Sequence, residues 1–325
     1  MLLQFWSVPL NRFPHPARYY CRLPKRKLPS PRRKAGPAKL DNVQPQFRFL
    51  LLLAWAIPAV GQPASGMDED LTPAQGQALV ETALANELRA AQDGSHLMRY
   101  RLRKTSPRLT TTKDICETKD GDVARLISTD DRPLSDAEEQ QEVARLQELL
   151  GDPGKQRKRK QSEDTDAGRA LKVLSALPTA FNYQYEGPAE GPTGKVEKFS
   201  FSPRHGFSPP DLETQVLTVM AGEITIDPAH QRVVRLEGHV QQDVDFGWGI
   251  LGRLNRGGWI VIEQADVGPD RGIDQWRIVH FQMAMSGRVF FKSRTFDTTE
   301  DESQFAPLPG GEDYHTAIRT LLADR

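Results

Sequence analysis

Residues 222–238 read GEITIDPAHQRVVRLEG, two runs of aliphatic and β-branched side chains joined across Pro228, Ala229, His230 and Gln231. Four residues cannot hold a crossover helix, so strands over Val216–Asp227 and Arg232–Phe246 must pair antiparallel. From Val234 to Trp248 the even positions are Val, Leu, Gly, Val, Gln, Val, Phe and Trp, while the odd ones include Arg235, Glu237, His239, Asp243 and Asp245. This period of two buries one face of the strand and wets the other.

The same spacing spreads outward from that hairpin. It predicts strands over Phe181–Glu186, Val196–Ser202, Trp259–Ala265, Gln275–Met285 and Gly287–Thr298, all with short connections, hence an antiparallel meander. Gln275–Met285 departs from simple alternation. Trp276 and Ile278 lie on one face and Val279, Phe281, Met283 and Met285 on the other, so both faces need cover, helices on one and a cavity or second layer on the other.

Upstream, Thr72, Pro73 and Gln75 form a capping box with proline at the first helical position, and Leu79, Ala83, Leu84, Leu88 and Ala91 follow at helical spacing. Met98, Tyr100 and Leu102 then alternate with Arg99, Arg101 and Arg103, and Leu109–Glu117 and Val123–Ser128 flank a turn at Lys119–Asp122. Ser135 and Glu138 open a second helix that Gly151, Asp152, Pro153 and Gly154 stop at Leu150. Residues 155–166, KQRKRKQSEDTD, mix signs so closely that a solvated, mobile loop is expected rather than a nucleic-acid patch. A third helix over Ala167–Leu177 ends at Pro178, which makes about 135–177 a helical and charged insertion. A short C-terminal helix sets Tyr314, Ile318, Leu321 and Leu322 on one side.

Arg48 followed by the apolar run Phe49–Val60 and the small residues Ala59 and Gly61 has the pattern of a secretory signal cleaved near Gly61. A run of 12 is too short to cross a bilayer, which takes roughly 20 residues, so no stable membrane span is expected after cleavage. Residues 1–48 exceed the usual leader. Either translation starts near Leu40 or Val43, or the Arg-rich, acid-poor stretch is a presequence; Arg32 and Arg33 lie too far from Phe49 for a twin-arginine signal. The chain divides into a leader, 1–61, and a single exported α+β domain, 62–325.

The overall charge balance is a cancellation. The leader holds 11 of the 43 Lys and Arg residues and one acid, leaving 32 basic and 42 acidic residues in the exported domain. An acidic domain has no long-range attraction for nucleic acid. Cys116 is the one cysteine after Gly61, so no internal disulfide forms there.

No catalytic, cofactor or metal signature emerges. Gly247–Gly252 spells G-x-G-x-x-G, but the few residues before Trp259 leave no room for the helix a dinucleotide needs. Asp245-Phe246-Gly247 lies on the wrong side of that loop for a kinase, so a glycine-kinked corner packing Trp248 and Trp259 is the better reading. His96, His205, His230, His239, His280 and His315 show no paired metal spacing. Asp243 and Asp245 share a wet face, where acids serve solubility more often than acid/base chemistry.

An opening helix, an antiparallel sheet, an inserted helical segment and a meander containing 222–238 followed by VDFGWGILG (244–252) resemble the outer-membrane lipoprotein-sorting (LolA-like) superfamily over roughly residues 71–300. The resemblance implies a curved antiparallel half-barrel with helices packed on or in its concave face, an apolar face that receives acyl chains. No functional residue of that family transfers to a position here. The expected function is non-catalytic: a periplasmic or secreted protein binding a hydrophobic ligand, a lipid or lipoprotein acyl chain, lined by Tyr183, Tyr185, Phe281, Met283, Met285 and Phe291. The alternative is an envelope module binding a protein partner through an exposed sheet face or edge.

Overall fold

A computed structural model describes residues 70–192, 194–246, 252–268, 275–289, 292–308 and 312–323. The leader with its cleavage site, most of the glycine motif (247–251) and Phe291 lie outside the described residues. The chain opens with helix α1 (Pro73–Gln92), where the Thr72 hydroxyl accepts the Gln75 N–H and the Gln75 side chain accepts the Thr72 N–H. Strands β1 (Met98–Ser106), β2 (Leu109–Cys116), β3 (Val123–Thr129) and β4 (Arg132–Pro133) follow, then α2 (Asp136–Gly151) and α3 (Pro153–Ala180). After β5 (Phe181–Gly191) and β6 (Gly194–Pro203), a 3-10 turn (Glu213–Val219) leads into β7 (Met220–Asp227) and β8 (Arg232–Val240). The short strands β9 (Val244–Phe246) and β10 (Gly252–Leu254) precede β11 (Trp259–Asp266), β12 (Trp276–Val289), β13 (Lys292–Pro307) and α4 (Tyr314–Ala323).

The fold class is α+β. Among the described residues one antiparallel sheet runs β4-β3-β2-β1-β13-β12-β11-β8-β7-β6-β5, with β10 joined to β12 and β9 to β10, and it is unclosed in the manner of a half-barrel. Two features make the order: α2 and α3 carry the chain from one edge to the other, and β13, the hairpin partner of β12, pairs on its other side with β1.

The main core lies between α1, α3 and one face of the sheet. Val80, Ala83 and Leu84 of α1 and Val173, Ala176 and Leu177 of α3 pack on Phe199, Phe201, Ile224, Ile226, Ile260 and Phe281. Gly76 lets α1 come this close: a Cβ there would sit 3.1 Å from the Phe199 ring. A second core joins Leu146, Leu149, Ile318 and Leu321 of α2 and α4 to Cys116 and Val123. Cys116 pairs with Arg99 whereas Ile115 pairs with Tyr100, so Cys116 and Tyr100 project from opposite faces. Past the two-residue β4, α2 shields the edge of β3: Glu142 accepts the Leu126 N–H at 2.8 Å and Arg145 donates to the Ala124 carbonyl at 2.6 Å.

Several expectations are corrected. Residues 155–166 are not a loop but the first half of the 28-residue helix α3. Asp152 caps it by accepting the Lys155 N–H, Pro153 occupies its first turn, and Arg159–Glu163 and Lys160–Asp164 pair at i,i+4, so the alternating charges had helical spacing. The helix also passes Pro178 to Ala180, where Arg204 donates to the Ala180, Pro178 and Phe181 carbonyls and the Tyr183 hydroxyl to the Leu177 carbonyl. Residues 216–219 belong to the 3-10 turn, burying Leu217 and Val219, and the expected Arg232–Phe246 strand is broken into β8 and β9. The turn expected near Ser286 falls after Val289, since Gly287 pairs in mid-strand with Arg294. Between β7 and β8 the register shifts at Ile226/Val233, so adjacent Val233 and Val234 are both buried, the first in the main core and the second against Val196 and Trp276.

Candidate functional site

The structure gathers Tyr183, Tyr185, Phe281, Met283 and Met285 on the helix-covered face. Met283 pairs with Ile260 and Phe281 with Ile262, while Tyr185 and Tyr183 pair with Phe199 and Phe201 at the far edge of the sheet. Phe281, Met283 and Met285 are 3%, 4% and 5% exposed; the two tyrosines are half-buried against the same cluster. Their rings lie 5.3 Å (Tyr185–Phe199) and 6.2 Å (Tyr183–Phe201) from their neighbours. In this arrangement the five residues belong to or pack against one apolar core shared with α1 and α3.

Polar ties fix the helices to the rest of the fold, and the middle of α3 is held as well, by Arg169 and Lys172 against Glu213 at 3.8 and 3.5 Å. Glu87, near the end of α1, accepts Arg232 Nε at 2.8 Å and Nη2 at 2.9 Å, the Val233 N–H at 2.9 Å and Gln264 Nε2 at 3.1 Å. At the other end of the covering layer, Gln156 of α3 donates to the Asp120 and Gly121 carbonyls at 3.0 and 2.8 Å, and Glu163 accepts the Asp122 N–H at 3.0 Å.

The same face of the sheet carries a polar cluster that the sequence did not disclose. Phe281 pairs with Glu300 and Glu300 with Lys104, which places Tyr100, Leu102, Lys104 and Glu302 on the helix-covered face. Burial, with Glu300 and Glu117 adding repulsion, pushes the Glu302 carboxyl up to about 8. Burial, then Glu163 and Glu117, pushes Asp122 up to about 7. Burial likewise raises Tyr100 and Glu117 and lowers Lys113. Glu300, 4% exposed, is matched by Lys104 at 2.7 Å. Gln304, at φ +57°, takes up a bulge in β13 opposite Tyr100, and the Phe305 ring stacks on Tyr100 at 5.6 Å. Tyr100 and Leu102 read in the sequence as an ordinary half-wet strand, and Glu300 and Glu302 lay beyond the expected strand end at Thr298. A strand continuing to Pro307 was the missing signal.

Asp243 and Asp245 do not form an acid/base pair. Asp245 accepts Arg253 at 2.6 and 2.7 Å, and Asp243 accepts the Arg256 N–H at 2.8 Å. Hydrogen bonding by Arg253 holds Asp245 below its ordinary range. Among the described residues no group of three or more His, Cys, Asp or Glu side chains is arranged to hold a metal ion, and no helix is long and apolar enough to cross a membrane.

No protein-family model and no curated protein matches this chain. Among solved structures it is similar to one described as an outer-membrane lipoprotein-sorting protein domain from Vibrio parahaemolyticus, at 10% identity and a TM-score of 0.29, covering 76% of this chain and 100% of that one. The fold assignment rests on the strand order itself.

Proposed function

We propose that the protein is a non-catalytic binding protein of the cell envelope, exported by its leader and cleaved near Gly61, that shelters a lipid or a lipoprotein acyl chain beneath α1 and α3. The observation that carries this reading is the continuous apolar face from β5 to β12 that shares one core with α1 and α3. Lifting a helix from such a face exchanges side-chain contacts for ligand contacts without disturbing the sheet ladder. Tyr183, Tyr185, Phe281, Met283, Met285 and Phe291 are the proposed liners, and the methionines suit a chain of variable shape because their thioethers repack at little cost. Each buried methylene contributes about 0.8 kcal/mol, so a chain of about 14 carbons gains on the order of 10 kcal/mol before the cost of opening. Extraction of the purified protein with organic solvent and mass spectrometry of the extract tests this. Recovery of acyl lipid in near-stoichiometric amount supports it; a lipid-free protein that also refuses added fatty acid contradicts it.

A second reading, an envelope module for a protein partner, is favoured by β5, which ends the strand path and exposes Asn182, Gln184 and Glu186. Glu186 and Pro188 on the same strand blunt that edge against pairing.

A further inference from the structure

We propose that the first half of α3 is a proton-controlled latch on the β2–β3 turn, which grips the turn while Asp122 is protonated and loosens when Asp122 ionises beside Glu163. Of the α3 residues before Val173 only Gln156 is buried, whereas Val173, Ala176, Leu177 and Ala180 sit in the main core. Apolar burial therefore holds the second half, and polar contacts hold the first. A segment with so little buried apolar surface opens locally at a small cost in free energy.

The grip is made at three backbone groups of the turn. Gln156 Nε2 donates to the Asp120 and Gly121 carbonyls at 3.0 and 2.8 Å, and Glu163 Oε2 accepts the Asp122 N–H at 3.0 Å. Gly121, at φ +97°, lets the helix come this near, since a Cβ there would stand 2.9 Å from Glu163 Oε2. The turn itself is stiff: Thr118 Oγ1 donates to the Gly121 carbonyl at 2.7 Å and accepts the Asp120 N–H at 3.1 Å, and Asp120 accepts the Tyr314 N–H of α4 at 3.4 Å. Gln156 Oε1 is buried with no donor among the described residues, which leaves the grip incomplete.

By taking the Asp122 N–H, Glu163 sets its carboxylate beside the Asp122 carboxyl. The cations nearby are engaged elsewhere. Arg159 donates to Glu163 at 2.9 Å, Lys160 pairs with Asp164 at 2.8 Å and Arg277 reaches Glu117 at 3.9 Å. Glu117 after β2, Glu302 of β13 and Tyr100 of β1 also face Asp122, and none of them brings positive charge. Burial first, then Glu163 and Glu117, pushes the Asp122 carboxyl up to about 7, so it is neutral below that pH and charged above it. The charged form is drawn toward water and repelled by Glu163, and both forces part the helix from the turn. This response belongs to α3 and the turn alone, so it stands whether or not an acyl chain binds beneath the helix.

Hydrogen–deuterium exchange of the full-length protein, corrected for the intrinsic effect of pH, tests the latch. Protection over residues 155–166 is expected to fall by about tenfold or more between about pH 6 and about pH 8.5, while that over 173–180 stays nearly constant. Asp122→Asn is expected to abolish the response and keep 155–166 protected at the higher pH, and Glu163→Gln to reduce it. Protection over 155–166 that does not change with pH, or a change that either substitution leaves as it was, overturns the latch, whatever the lipid content of the protein.

Discussion

Glu87 and Arg232, 145 positions apart in sequence, meet in a two-point ion pair at 2.8 and 2.9 Å, with side chains only 10% and 14% exposed. The pair joins α1 to the β7–β8 turn, and the same carboxylate also accepts a backbone N–H of β8 and the amide of Gln264 on β11. One side chain thus sets where the covering helix sits over two strands. Removing a single partner of a buried pair leaves the other charge unmatched.

Glu87→Ala is therefore expected to cost about 3 kcal/mol or more in denaturant unfolding, since Arg232 and the Val233 N–H both lose their acceptor. Amide exchange in α1 should rise more than in β11 and β12. Equal exchange throughout would mean that the pair does not locate the helix.

In the core beneath, Met283→Ala should destabilise by about 2–5 kcal/mol through the cavity it leaves, whereas Met283→Leu should cost less than about 1.5 kcal/mol. If methionine is kept for adaptability, the leucine variant should hold its stability yet accept a narrower range of acyl chain lengths, read by competition with a fluorescent fatty acid.

The middle of α3 has its own test. Gly168 lies inside α3, and a Cβ there would meet nothing within 4 Å. Gly168→Ala should stabilise by about 0.5–1 kcal/mol in thermal or urea unfolding, because alanine restricts the unfolded chain and suits the helix. A loop at this point would show no such gain.

The polar cluster predicts a pH dependence of defined sign. Glu302 and Asp122 have folded values near 8 and 7, above their ordinary 4.5 and 3.8, so the folded protein holds more protons than the unfolded chain between those limits. Their contribution is fully present below about pH 4 and is lost as pH rises through 7 to 8. Glu302→Gln should flatten the fall in stability between pH 6 and 9, measured by urea midpoints at each pH; an unchanged slope would place Glu302 in a wetter setting than its burial implies.

How much of this was legible depended on whether one segment's pattern sufficed. Thr72 and Ser135 announced α1 and α2 because a capping box is local, and the 222–238 hairpin declared its pairing because four residues permit no other. Residues 155–166 were misread because charge run and helix share a composition; only the i,i+4 offset of Arg159 to Glu163 separates them. Tyr183, Tyr185, Phe281, Met283 and Met285, the proposed liners among the described residues, were legible as apolar positions, but their placement on a single face needs the registers that link β12 to β5 through β11, β8, β7 and β6. Glu87, Glu302 and Trp276 were not legible as partners of anything, since each meets groups brought together only by the return of β13 or the lie of α1.

Carbon–proton NMR of methyl-labelled methionine gives the most direct test of an acyl chain sheltered on the helix-covered face. On titration with a long-chain fatty acid, the Met283 and Met285 methyl resonances should shift and saturate, while Met98, buried outside the main core at the start of β1, stays in place. Met283 and Met285 signals that remain fixed while the protein binds fatty acid, or no binding at all, would contradict the account.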